Sequence, residues 1–235
     1  MKIKNVKLAR SIWLLDLQDL NPRGRDIAGQ IFDWVRQRYG FVVGPDPRAP
    51  LAENSTSPVR SGNQPVSTGA VFENGRFQVR DQVVIEITKL AVYNDGIVVD
   101  TSSSTTSCDE FAQDLLTTAA SEFSLAYDEE TVRKRMYLSE LIVHSGISFD
   151  AINPRLAAFA QRITAAFPEE TKPQFRIAAI QFWSEPNDAG KHRIFTLEQQ
   201  VGKASTEHRY FSQAPLQTND HLRLLEELER ALIEA

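Results

Sequence analysis

The chain has 235 residues, 42% of them apolar and 24% charged, with a formal net charge of -5. That length supports a buried core without staples, and a net negative charge argues against whole-chain attraction to a nucleic-acid backbone. A single cysteine, Cys108, excludes an internal disulfide and fits a reducing, cytoplasmic compartment.

Residues 3–17 read as a strand that is apolar on both faces, interrupted by Asp16, with no signal peptide and no apolar run long enough to span a membrane. Asn21-Pro22 has the chemistry of a helix start, a capping side chain followed by a proline that needs no donor. The stripe Ile27, Ile31, Trp34 and Val35 follows it, and Gly40 is the expected stop. Residues 44–69 are rich in Pro, Ser, Thr and Asn and poor in apolar side chains, which predicts a long loop.

Asn74-Gly75 between Val71-Phe72 and Phe77–Val79 predicts a tight hairpin. Residues 83–93 form a strong strand pattern, and Asn94-Asp95-Gly96 turns it into Ile97-Val98-Val99. Ser107 and Glu110 have the spacing of a capping box, opening a helix with the stripe Phe111, Leu115, Ala119 and Phe123. Residues 135–144 alternate as a strand. Asn153-Pro154 repeats the helix-start chemistry, and Leu156, Phe159, Ile163 and Phe167 form an apolar stripe expected to pack inward. Strands are expected near 174–183, 193–200 and 207–212. Asn219 or Asp220 then caps a last helix striped by Leu222, Leu225, Leu228 and Leu232.

This order predicts a single α+β domain over residues 1–235: a mixed, mostly antiparallel sheet with about four helices packed on it.

One constellation carries chemistry. A strand runs from Val98-Val99 into Asp100-Thr101-Ser102-Ser103-Ser104, and a helix follows. This resembles the metal-ion-dependent adhesion motif of von Willebrand factor A domains. The resemblance implies that Asp100, Ser102 and Ser104 hold magnesium or calcium through hard oxygen ligands. It also implies a parallel sheet and a later aspartate, for which Asp188 is available.

The other candidates are weaker. Asp81, Glu86 and Lys89 could begin a nuclease site, but Glu86 and Lys89 stand three apart on a strand, which predicts opposite faces. His144, His192, His208 and His221 lack metal-ligand spacing, although Ser139 and His144 could form a dyad. Cys108 near a helix start could have a lowered pKa, but a structural role is expected. Trp13, Trp34 and Trp183 read as core. Arg133-Lys134-Arg135 follows Asp128-Glu129-Glu130 and reads as a solvated stretch of both signs.

No cofactor is expected outside the cation site. The leading expectation is a non-enzymatic interaction or assembly protein with a protein partner or self-association. A divalent-cation-dependent binding module and an unrecognised hydrolase are the alternatives.

Overall fold

In a computed structural model, the chain is described over residues 1–45, 69–79, 83–186 and 193–234. Most of the predicted 44–69 loop, together with Asp81, Asp188 and His192, lies outside the described residues. The strands are β1 (Lys2–Leu14), β2 (Ala70–Gln78), β3 (Val84–Tyr93), β4 (Gly96–Thr101), β5 (Lys134–His144), β6 (Ala179–Trp183), β7 (Ile194–Gln199) and β8 (Arg209–Ala214). The α-helices are α1 (Leu17–Leu20), α2 (Ala28–Tyr39), α3 (Thr105–Phe123), α4 (Pro154–Ala165) and α5 (Thr218–Glu234). The fold is α+β, with one eight-stranded antiparallel sheet in the order β2-β3-β4-β1-β5-β8-β7-β6. No described helix is long and apolar enough to cross a membrane. Contacts group the chain into two compact units, Leu8–Tyr137 and Met1–Lys7 with Leu138–Ala235.

In the first unit, α2 and α3 supply the core. Phe111, Ala112, Leu115, Leu116 and Ala119 are buried, as the four-residue spacing predicts. Tyr39, Phe41, Phe77 and Phe111 meet edge to face. The β3–β4 hairpin forms at Asn94-Asp95-Gly96 as predicted.

Two turn signals are overridden there. Asn21-Pro22 does not start α2, which begins at Ala28. The Asn21 side chain instead donates to Arg25 O and accepts from Arg25 N, closing a turn with Gly24 at a φ of 59°. Asn74-Gly75 does not form a hairpin. β2 runs straight through it, paired with β3 from Ala70↔Val92 to Gln78↔Val84. Asn74 keeps the positive φ (59°) that suits it, but inside a strand. Gly75 is needed for room, since a Cβ there would lie 2.5 Å from the Phe41 ring.

The capping residue of α3 is Ser104 rather than Ser107. Its Oγ accepts from the Ser107 N–H at 3.0 Å. Ser107 is the third helical residue, so the predicted cap lies three residues late.

In the second unit, the core is Leu141, Val143, Phe149, Leu197, Tyr210 and Leu225. Asn153 caps α4 as predicted, accepting from Arg155 N and Leu156 N. The α4 stripe does not pack inward as expected: Leu156 and Phe159 are 54% and 57% exposed, and only Ala160 of this helix is buried. α5 begins at Thr218, so Asn219 and Asp220 lie in its first turn rather than capping it.

Candidate functional site

The Asp100 segment follows from the strand pairing around it. β4 is hydrogen-bonded on both sides, so Asp100 stands in register between Arg10 of β1 and Lys89 of β3. Lys89 in turn faces Glu73 of β2. Charges of alternating sign therefore occupy one register line across four strands, which favours the pairing. Asp100 itself is buried, and Arg10 grips it through both oxygens, with Nε–Oδ1 at 2.6 Å and Nη2–Oδ2 at 2.7 Å. This fork is the strong geometry for a carboxylate.

The adjoining residues turn to local work. Thr101 donates to Glu86 O and accepts from Ser103 N. Ser104 caps α3, and Ser102 is exposed. A cation bound to Asp100 would have to displace the Arg10 fork. The sheet is antiparallel, not the parallel sheet that the adhesion-motif resemblance implies. Among the described residues, no three His, Cys, Asp or Glu side chains are placed to share a metal ion.

Glu86 and Lys89 do share a face, against the spacing argument. The β3–β4 register shifts between Ile87 and Lys89, and burial passes from Ile85 and Ile87 to Leu90. That change of phase leaves Glu86 and Lys89 together on the opposite side. Each faces a charged residue in register, Glu86 opposite Arg76 and Lys89 opposite Asp100 and Glu73.

Ser139 does meet a histidine, but it is His221 rather than His144. Ser139 Oγ lies 2.7 Å from Nδ1, and Ser212 Oγ lies 2.8 Å from Nε2. Ser212 donates its own hydrogen to Thr196 O at 2.9 Å. Nε2 must then carry the ring hydrogen and donate to Ser212, while Nδ1 accepts from Ser139. A serine hydroxyl on an imidazole lone pair is the hydrogen bond that a nucleophile and its base require. All three side chains are 0% exposed, however, so no substrate reaches them. Burial lowers the His221 pKa to about 4, which keeps the ring neutral and its two bonds intact. The arrangement is a polar brace pinning α5 to β5 and β8. Sequence spacing could not reveal it, because the brace joins residues 82 apart.

Cys108 is buried with its Sγ toward Ala9 O, and burial pushes the thiol pKa up, the opposite of activation. Trp13 is core, its indole donating to Asp109, with the Arg135 guanidinium 4.0 Å above its ring. Arg133 reaches Asp16 and Asp19, so two members of the basic run have local partners.

Trp183 is not core as expected but 61% exposed. Beside it on β6, Phe182 is 56% exposed, and Ile194 on the neighbouring strand is 39% exposed. An open depression of about 410 Å³ lies in the same unit, lined by Gln174, Phe175, Arg176, Ala178, Gln199 and Ser205. Another of about 510 Å³ lies in the other unit, along Gly40, Val42, Asn74, Gly75 and Val84. Neither contains the Ser139–His221 pair or Asp100. The exposed large apolar side chains of this unit lie on α4 (Leu156, Phe159), on β6 (Phe182, Trp183) and on β7 (Ile194). Compared with protein-family models and with curated proteins, the chain matches no family model and no curated protein.

Proposed function

We propose that this chain is a non-enzymatic interaction or assembly protein, working in a reducing compartment such as the cytoplasm as a subunit or adaptor of a larger complex. The observation that carries the reading is the exposure of large apolar side chains in one unit: Leu156 and Phe159 on α4, Phe182 and Trp183 on β6, and Ile194 on β7. Single exposed apolar residues are ordinary, but several in one unit, three of them on the paired strands β6 and β7, favour a surface that another chain covers. Ser139, a serine that meets a histidine among the described residues, is sealed in the core, which favours the interaction reading over a hydrolase.

The test is isolation of the tagged protein at native expression, with Phe159→Lys and Phe182→Lys as variants. A stoichiometric partner, either a second copy or another chain, is expected with the wild type. At least one variant should lose it at an unchanged melting temperature. A monomer that recovers no stoichiometric partner would overturn the proposal.

A further inference from the structure

β6 ends the sheet order, hydrogen-bonded to β7. Gln199 N donates to Ala178 O, and Ser184 N donates to Arg193 O. The pairing between them is regular, from Ala179↔Glu198 to Trp183↔Ile194. Even-numbered residues therefore turn their main-chain groups toward β7, and Ala179 and Gln181 direct theirs off the sheet. Edge strands are ordinarily guarded by lysine, proline or a bulge. β6 reads Ala-Ile-Gln-Phe-Trp and carries none of these.

Resting on the interaction reading above, we infer that this edge takes a second copy of the same chain. β6 pairs antiparallel with its counterpart about a two-fold axis at Gln181. The strand is complementary to itself in that register. Gln181 faces Gln181 of the second copy, and the two residues exchange main-chain bonds. The small Ala179 faces the large Trp183 on both sides of the axis, and Ile180 faces Phe182 on the other face. Because β6 is uncharged, no like charges meet. Its flanks carry Arg176 before the strand and Glu185 after it, so the two-fold brings opposite charges toward each other at both ends.

The test combines solution mass with single-cysteine crosslinking of the full chain under oxidised glutathione. The native Cys108 is buried. In this register the two Gln181 Cα atoms stand about 5.5 Å apart, within disulfide reach. The two Phe182 residues are diagonal neighbours roughly 7–8 Å apart, at or beyond that reach. Light scattering should give a two-chain mass. Gln181→Cys should form a covalent dimer, and Phe182→Cys should not. Gln181→Pro, which removes an outward N–H and an exposed side-chain bond from the Trp183 indole, should give a monomer with little change in melting temperature.

Crosslinking at Phe182 but not at Gln181 would overturn the register. A monomeric wild type whose partner is a different chain, released by Phe182→Lys, would overturn the second copy and leave the interaction reading standing. A monomer with no partner at all would overturn both.

Discussion

The His221 brace predicts a specific loss of stability in acid. The folded protein holds the ring at a pKa of about 4, against 6.5 for an unperturbed histidine. Between those values the unfolded chain binds a proton that the folded chain excludes. The stabilisation is thus complete above about pH 6.5, falls as the pH drops, and levels off near pH 4. The gap corresponds to about 3 kcal/mol, at about 1.4 kcal/mol per pKa unit. Ser139, Ser212 and Phe195 surround the ring, so desolvation dominates.

The assay is urea unfolding at pH 7, 5.5 and 4.5 for the wild type and for His221→Gln, which carries no titrating ring. The variant should be weaker at pH 7 and should lose less stability on acidification. The difference between the two curves isolates His221 from the carboxylates and from the other histidines. An NMR titration should show the His221 ring neutral down to about pH 5. A measured pKa near 6, or two stability curves falling in parallel, would refute the reasoning.

Four further outcomes follow from the other unit. Arg10→Ala should cost about 2 kcal/mol in urea unfolding, because it strands a buried carboxylate; the figure is below the full buried-pair value because the Arg10 side chain is 33% exposed. With Arg10 in place, magnesium or calcium should leave the wild-type melting temperature unchanged, and a rise abolished by Asp100→Ala would reinstate the cation site. Gly75→Ala should destabilise by about 1–3 kcal/mol, since the Phe41 ring must move; an unchanged denaturation midpoint would contradict that packing. Ser104→Ala should cost about 1 kcal/mol and Ser107→Ala markedly less, measured the same way; the reverse order would return the cap to Ser107.

Local chemistry was legible where the chain decides locally. The stripe of α3, the Asn153-Pro154 start of α4 and the Asn94-Asp95-Gly96 turn all depend on neighbours within a few residues. Asn74-Gly75 misled because the Phe41 ring occupies the space above Gly75 and β3 pairs with the whole strand, both long-range effects. Asn21-Pro22 misled because the Asn21 side chain bonds both main-chain groups of Arg25 rather than the next helical donors. At the sites, the sequence offered Ser139 but gave no means of choosing among distant histidines. It offered Asp100 without the cross-strand Arg10 that occupies both its oxygens.

The unit that contains β6 grades from a locked centre to a weakly held rim. Leu141, Val143, Leu197 and Ser212 on β5, β7 and β8 are wholly buried, and the His221 brace fastens α5 over them. On β6 only Ile180 is even half-buried. A strand of five residues, paired on one side and carrying exposed Phe182 and Trp183, gains little from its own fold. Its main-chain bonds to β7 should therefore open at a small fraction of the global unfolding free energy when the chain is alone. A covering strand would reverse this, because it satisfies the outward groups and buries the aromatic side chains together. Amide exchange at Ile180 and Phe182 is thus a direct gauge of occupancy. It should be fast in dilute protein and slow sharply at concentrations where scattering reports two chains. Equal protection at both concentrations would mean that β6 is held by its own unit and that its exposed edge has no structural debt for a partner to settle.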